Sequence, residues 1–557
     1  MAKTSYVIGI SSYYHDSSAC LFINNKLVFA CEEEKFTGIK HDSRFPHTTI
    51  KFILKNFKIK IEDVEMVCYY EDPSIKYDRV IENFKNQLLR RPLFSIRSLH
   101  KFLKNRGEFK KEIKKLGGKV FFSKHHDSHL YYSTFSSPFK KGISLSIDGV
   151  GEKDTATYSL FNGEGLEPQT ISEYPHSIGL FYSAMTAFLG FKPNEGEYKV
   201  MGLSAYGSPK KYITPLRNLI QFVDGKILCD MDSFNWDRST RTMFNYNLSK
   251  KLGLLPRTPD SPMTTDYENL ASAVQLRYEE ILFELINHYS NGETNLTLGG
   301  GCAYNGLANG KIYKQTGIKH LWIPPSPSDA GSSIGSCINY IVNVKKEYPQ
   351  IPKTPFLGPS FKVNKTNKVQ YNIGGGITVD NDSLYRIIAK QIKNGKVVGW
   401  FRDEIEFGAR ALGNRSILAD PTNPTMKDRI NQMVKRREGF RPFAPMVTKE
   451  RQSEFFEVED DVPYMNQVVK VKKEYRDILV SVTHVDGTAR IQTVYQDNSI
   501  FNLLREFEKL TSYPILLNTS FNVKDKTMVL TPKDAVDTFR DTDIDVLVLQ
   551  NTIIFNK

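Results

Sequence analysis

Apolar and polar positions divide the chain into a regular succession of elements. Residues 6–10 form an apolar, strand-like run, 11–18 a polar turn, and 19–22 a returning strand. Asn24-Asn25 then predicts a hairpin turn into a third strand over 26–31. The runs 120–122 and 143–147 predict further strands, separated by Lys124-His125-His126-Asp127-Ser128-His129, where a helix is expected to begin. A hairpin follows at 155–161, a helix after Ile178, and a long helix over 266–289. Leu296-Thr297-Leu298 runs into Gly299-Gly300-Gly301-Cys302-Ala303-Tyr304-Asn305, a strand, a glycine turn and a helix. The run 321–325 leads to Ser328-Asp329-Ala330-Gly331, which places Asp329 at the start of another helix.

Residues 345–368 carry prolines at 349, 352, 355 and 359 and show no periodicity, so 346–368 is expected to be a linker. It separates a first domain over 1–345 from a second over 369–557. In the second, 380–394 reads as a helix, 396–401 as a strand and 514–522 as a buried strand with small polar residues at its end. At 557 residues the chain exceeds a single core, and strands alternating with helices predict an α/β fold class.

Composition, 40% hydrophobic and 25% charged, is that of an ordinary globular protein. No run of about 18 apolar residues exists and the amino terminus is a short strand followed by polar residues, so a cytoplasmic protein without a membrane partner is expected. The six cysteines are scattered without a Cys-x-x-Cys pair, so neither a zinc knuckle nor a disulfide framework is indicated. The net charge of +13 is local: residues 76–119 hold 14 Lys or Arg against 4 Asp or Glu. Apolar residues recur there at three- and four-residue steps, predicting amphipathic helices with a basic outer face. That face is either simply solvated or a patch for an anionic acceptor or nucleic acid.

Two constellations carry chemistry. His125 and His129, four residues apart, share one helical face at metal-ligand spacing, and Asp148 closes the strand 143–147. With Asp329 as a candidate fourth ligand, two imidazoles and carboxylate oxygen suit a divalent ion such as iron, zinc or manganese. The competing interpretations are a polar helix face for the histidines and a helix cap for Asp329. The Gly299-Gly300-Gly301 turn, followed by Asn305, would let a backbone approach a flat or phosphorylated ligand, or is merely a tight turn. The second constellation is basic: Arg410, Arg415, Lys435, Arg436, Arg437 and Arg441 lie among glycines, prolines and phenylalanines, Arg490 lies on a strand, and Asn518 and Ser520 end a buried one. Guanidinium forks bind phosphate and carboxylate oxygens in pairs, so this region predicts a polyanion pocket.

Taken together, several stretches resemble the O-carbamoyltransferases of the NodU/CmcH type, which decorate nodulation factors and antibiotics. They are Gly9-Ile-Ser-Ser-Tyr-Tyr-His15-Asp, Glu32-Glu-Glu-Lys-Phe, His125-His-Asp-Ser-His129, Ser146-Ile-Asp148-Gly, Tyr198 to Gly207, Gly299 to Asn305, Pro327-Ser-Asp329-Ala-Gly, Glu406 to Asp420, Arg441-Pro-Phe-Ala-Pro445 and Leu517 to Asn522. The resemblance implies an actin-like (ASKHA, duplicated RNase H-like) domain followed by a YrdC-like domain that forms carbamoyl adenylate from carbamoyl phosphate and ATP with Mg. The carbamoyl group then passes to a hydroxyl acceptor, a sugar or natural product, beside a metal, iron being the ion usually implied. By motif, His125, His129, Asp148 and Asp329 match metal ligands and His15 a transfer-site catalytic residue. Arg410, Lys435, Arg441, Arg490 and Ser520 match phosphate- and nucleotide-contacting positions, and Asn518 lies beside them. The rivals are a tRNA threonylcarbamoyl-type enzyme, disfavoured by fusion of both domains and by the lack of an RNA module, and a non-catalytic nucleotide- or nucleic-acid-binding protein.

Overall fold

The computed structural model describes residues 4–556 apart from 89–91, 118, 164, 240, 364–375, 436–440 and 442. The expected arginines Arg436 and Arg437, and part of the proline-rich stretch, therefore lie outside the described residues. The chain forms two compact units, one of residues 1–29 and 43–352, the other of residues 30–42 and 353–557.

The first unit is built on two five-stranded sheets of the same connectivity. In one, β1 (Tyr6–Ser11), β2 (Ser18–Ile23) and β3 (Lys26–Glu32) are followed by β4 (Val64–Tyr69) and β5 (Val120–Phe122), in the order β3-β2-β1-β4-β5. β1 runs antiparallel to β2 and parallel to β4, which is parallel to β5. The β2–β3 turn holds Asn24 and Asn25 at φ 48° and 63°, the left-handed pair that a tight hairpin requires. The second sheet contains β6 (Gly142–Ile147), β7 (Asp154–Phe161), β8 (Gln169–Glu173), β11 (Asn295–Gly299) and β12 (His320–Trp322). A small hairpin of β9 (Ile220–Val223) and β10 (Lys226–Cys229) lies apart from it. Its order, β8-β7-β6-β11-β12, repeats the first: three strands in succession, then two parallel strands beyond the first of them. This internal repetition is the duplicated RNase H-like, actin-like fold.

Two helices join the sheets. His125–Phe135 packs on β6, β7 and β11, Asp329–Asn343 packs on β1, β2 and β4, and the two helices pack on each other. Small residues set how closely they approach: a Cβ at Gly335 would lie 1.8 Å from the Ser128 carbonyl, and one at Gly331 would lie 2.7 Å from the Tyr132 ring. Any side chain there would push the helices apart. The basic segment folds, as its periodicity predicts, into Pro73–Gln87 and Pro92–Lys115. Arg79 turns inward, donating to the Gly151 carbonyl at 3.0 Å and lying over the Tyr174 ring. All six cysteines are free, five of them buried.

The second unit centres on an eight-stranded sheet of order β14-β25-β24-β15-β17-β23-β18-β22. In chain order the unit contains β13 (Phe356–Ser360), β14 (Ile377–Thr378), β15 (Val398–Phe401), β16 (Glu404–Glu406), β17 (Arg415–Ala419) and β18 (Ala444–Thr448). Then come β19 (Phe456–Glu457), β20 (Val468–Val471), β21 (Thr488–Arg490), β22 (Gln492–Val494), β23 (Ile515–Ser520), β24 (Val546–Leu549) and β25 (Thr552–Phe555). Two apolar clusters cover the sheet, one including Phe401, Ile417 and Leu547, the other including Trp400, Leu418 and Phe507 from helix Ile500–Thr511. Within the proline-rich stretch, β13 pairs with β16. No described helix is long and apolar enough to cross a membrane.

Candidate metal centre and anion site

The first constellation comes together in the first unit. The His125 helix starts directly after β5 and one turn of it aligns both imidazoles. Asp148 follows the last residue of β6, and Asp329 opens the partner helix. The His125 and His129 Nε2 atoms lie 3.1 Å apart, and 3.3 and 3.2 Å from Asp148 Oδ2. Asp329 Oδ1 lies 3.5 and 3.6 Å from the same two nitrogens. Four donor atoms held 2.0–2.1 Å from a shared tetrahedral centre stand about 3.4 Å apart, so the spacing suits one first-row ion.

The donor chemistry agrees. All four residues are buried, and among the described residues the carboxylate of Asp329 has no hydrogen-bond partner, only the imidazoles of His125, His129 and His15 at 3.5 to 3.8 Å. A buried carboxylate without compensation costs several kcal/mol, which makes a cation at the centre of the cluster the natural counterpart. Burial works to lower the His129 pKa, but Asp148 and Asp329 outweigh it and raise it to about 9. Burial works to raise the Asp148 carboxyl, and His125 and His129 outweigh it and hold it well below its ordinary range. The pocket is thus an electrostatic well for positive charge. The His129 ring is braced from outside, its Nδ1 meeting Ser332 Oγ at 3.0 Å and leaving Nε2 directed at the cluster, and Asp148 Oδ1 accepts from Gly149 N at 2.7 Å. Glu152, which no sequence signal marked, accepts the His125 amide at 2.9 Å and the Asp72 amide at 2.6 Å.

His15 reaches the same cluster from the loop after β1, with Nε2 3.8 Å from Asp329 Oδ2 and Nδ1 3.1 Å from Asp16 Oδ2. Burial lowers its pKa, but Asp329 and Asp16 more than reverse this and carry it to about 10. Its side chain keeps 20% exposure, enough for a substrate to reach.

The glycine turn has packing reasons of its own. A Cβ on Gly299 would lie 2.9 Å from the His129 carbonyl; Gly300 has φ +85° and a Cβ there would lie 2.2 Å from the Ile147 carbonyl. Gly301 faces the site, its Cβ position 3.0 Å from Asp148 Oδ1. Asn305 caps the following helical turn through Ala308 N and exchanges two 3.0 Å bonds with Gln275.

In the second unit, strand register gathers the basic constellation at one edge of the sheet. Ser416 at the start of β17 pairs with Ser520 at the end of β23, Ala444 at the start of β18 pairs with Asn518, and Gln492 at the start of β22 pairs with Met446. Arg410 lies five residues before β17, Arg441 three residues before β18, and Arg490 ends β21 two residues before β22, so all three lead into strands that start at the edge where Asn518 and Ser520 end β23. Lys435 is buried there, its ammonium donating to the Ser520 carbonyl at 2.6 Å and to Asn522 Oδ1 at 2.7 Å. Asn518 donates to the Ala411 carbonyl at 2.9 Å and to Gln492 Oε1 at 3.0 Å, while Gln492 donates to the Leu412 carbonyl at 2.7 Å. Glu406 Oε1 accepts the amides of Leu412, Asn414 and Arg415 at 2.8, 2.8 and 3.1 Å. Arg415, by contrast, is a structural cation: it is fully buried under the Phe401 ring and donates to the carbonyls of Asn414 and Asp403, and burial lowers its pKa to about 10.

A duplicated actin-like unit with a buried His2Asp2 centre, joined in one chain to a unit with a basic sheet edge, defines a two-part group-transfer protein. Comparison with known proteins makes the class specific. The carbamoyltransferase N-terminus family matches residues 6–338 and the carbamoyltransferase C-terminus family residues 389–556. The chain belongs to the carbamoyltransferase family. It is 36% identical to the uncharacterized protein sll1178 of Synechocystis sp., over 99% of this chain and 96% of that one. It is 35% identical to the nodulation protein NolNO of Sinorhizobium fredii over 98% of this chain and 79% of that protein. With the uncharacterized protein MJ1058 of Methanocaldococcus jannaschii it shares 29% identity over 99% of both chains.

Proposed function

We propose that this carbamoyltransferase is an ATP-dependent O-carbamoyltransferase working in two steps, one in each unit. In the second unit, taken as YrdC-like, carbamoyl phosphate gives up its phosphate to water as inorganic phosphate, and the carbamate left attacks the α-phosphorus of ATP with Mg, forming carbamoyl adenylate and releasing pyrophosphate. In the first, the carbamoyl group moves to an acceptor hydroxyl. The observation that carries the reading is the gathering of Arg410, Lys435, Arg441 and Arg490 with Ser520 at one sheet edge, a cationic site apart in sequence from the His2Asp2 centre.

The division follows from the chemistry. A carbamoyl group is a sluggish acylating agent, and adenylation gives it a good leaving group. Arg410, Arg441 and Arg490 bind phosphate oxygens as planar forks, and Lys435 adds a fixed point charge against the negative charge that develops during the exchange. At the transfer site His125, His129, Asp148 and Asp329 would hold a divalent ion, iron first, with zinc or manganese as alternatives. Such an ion would supply positive charge to orient the adenylate and to offset Asp329, the carboxylate that with Asp16 and Asp148 keeps His15 protonated. Neutral His15 then takes the proton of the acceptor hydroxyl at Nε2. The resemblance to the NodU/CmcH type, which decorates nodulation factors and antibiotics, favours a sugar or natural-product hydroxyl as acceptor.

The test separates the steps. His15→Asn should release pyrophosphate from ATP at the wild-type rate in a carbamoyl-phosphate-dependent manner yet form at least about a hundredfold less carbamoylated product by mass spectrometry. Full product formation by the variant removes His15 from transfer, and pyrophosphate release that ignores carbamoyl phosphate in the wild type removes the first step.

A further inference from the structure

Residues 30–42 stand near the start of the sequence yet fold within the second unit. Glu32, Glu33, Lys35 and Asp42 are all buried there, a dense set of charges for an interior. Most serve the segment itself: Lys35 pairs with Glu34 at 3.2 Å, Asp42 accepts from Thr37 Oγ1 at 2.9 Å, and Glu34 accepts the His41 amide at 2.8 Å. Glu32 does something different. Its Oε1 accepts the backbone amide of Gly408 at 2.7 Å, although 376 residues separate the two.

Gly408 opens the loop that carries Arg410. Its φ of 121°, and that of 119° at Gly413, are conformations that side chains other than glycine rarely adopt, so the loop has wide freedom unless it is held. Two carboxylates hold it. Glu406 takes the amides of Leu412, Asn414 and Arg415 on the far side of Arg410, and Glu32 takes the amide of Gly408 on the near side. Arg410 stands between the two clamps in sequence.

We infer that Glu32 is a positioning residue for the anion site, a latch from the amino-terminal segment that fixes the Gly408 end of the loop and thereby sets where Arg410 presents its guanidinium. The inference rests on the proposed phosphate-binding role of Arg410. Glu32 touches no substrate in this scheme. It restricts a loop whose displacement by an ångström would misplace the guanidinium.

The experiment is carbamoyl-phosphate-dependent pyrophosphate release by the full-length protein as wild type, Glu32→Leu and Glu32→Gln. Glu32→Leu should raise KM for carbamoyl phosphate by about tenfold or more, with kcat within about threefold of wild type. Glu32→Gln, whose amide oxygen still accepts the Gly408 N–H, should stay within about threefold in both constants. An unchanged KM in Glu32→Leu, or Glu32→Gln as damaged as Glu32→Leu, overturns the latch. Hydrogen exchange of the wild-type protein decides the matter even if Glu32→Leu fails to fold: the Gly408 amide should be protected about a hundredfold or more over an unstructured amide, and free exchange there overturns the proposal. A wild type that releases no pyrophosphate refutes the two-step reading instead, and the exchange experiment still judges the latch.

Discussion

The Nε2 atoms of His125 and His129 stand 3.1 Å apart inside the protein, within reach of a single shared proton or ion. Asp148 and Asp329 close the other sides of the same small space. His125→Ala or His129→Ala should therefore bring bound metal, measured by elemental analysis, down to background while carbamoyl-phosphate-dependent pyrophosphate release persists. Unchanged metal content in both variants refutes the ligand set. Removing the metal with a chelator should also lower Tm of the wild type, because an ion present at about 100 times its Kd adds about 2.7 kcal/mol to stability.

Gly300 and Gly301 separate packing from chemistry within one turn. Ala at 300 meets both a left-handed φ and the Ile147 carbonyl at 2.2 Å, so Gly300→Ala should cost about 3 kcal/mol or more in urea unfolding. Gly301 is not in that conformation, and its methyl would press only on Asp148 Oδ1. Gly301→Ala should lose less than about 1 kcal/mol of stability but weaken metal binding by about tenfold. Equal stability losses in the two variants would contradict this distinction.

Arg441 lies three residues before the first residue of β18, at the edge where β23 ends. Arg441→Ala should reduce carbamoyl-phosphate-dependent pyrophosphate release by at least about a hundredfold, in proportion to a lost phosphate fork, with metal content unaltered. A normal release rate takes Arg441 out of the site.

Glu32 predicts a pH dependence of stability. Burial lifts its carboxyl from 4.5 to about 7, with Lys35 pulling the other way. A carboxyl whose folded pKa is raised contributes stability that is complete below the unfolded value and is lost as pH rises through the folded one. Wild type should therefore lose stability relative to Glu32→Gln between pH 5 and pH 8, by up to about 3 kcal/mol at about 1.4 kcal/mol per unit. Urea unfolding at the two pH values measures it, and a difference that does not change with pH would show that Glu32 does not titrate in that window.

Much of the site was legible because it is local. His125 and His129 share a face by helical spacing alone, Asp148 lies at a strand end because the apolar run stops at Ile147, and Asp329 follows the polar signal for a helix start. The arginines before β17, β18 and β22 drew attention to the proposed anion site through their setting among turn residues. Glu152 and Ser332 gave no such signal, since a single acid or hydroxyl has no period and no partner within reach along the chain. Asn305 and Arg415, both prominent in sequence, turn out to be held by structural bonds, to Gln275 and Ala308 in one case and to backbone carbonyls in the other.

By itself the sequence determined the elements, their buried faces and the chemical types present, because propensity and periodicity act over a few residues. Only the tertiary structure decided which faces meet. Asp329 reaches the histidine pair, some 200 residues earlier in the chain, because Gly331 and Gly335 leave no side chain to separate two helices. Glu32 reaches Gly408 because residues 30–42 leave the unit that surrounds them in sequence and fold into the other. Such pairings depend on shape complementarity across long loops, a physical quantity that no local pattern of residues encodes.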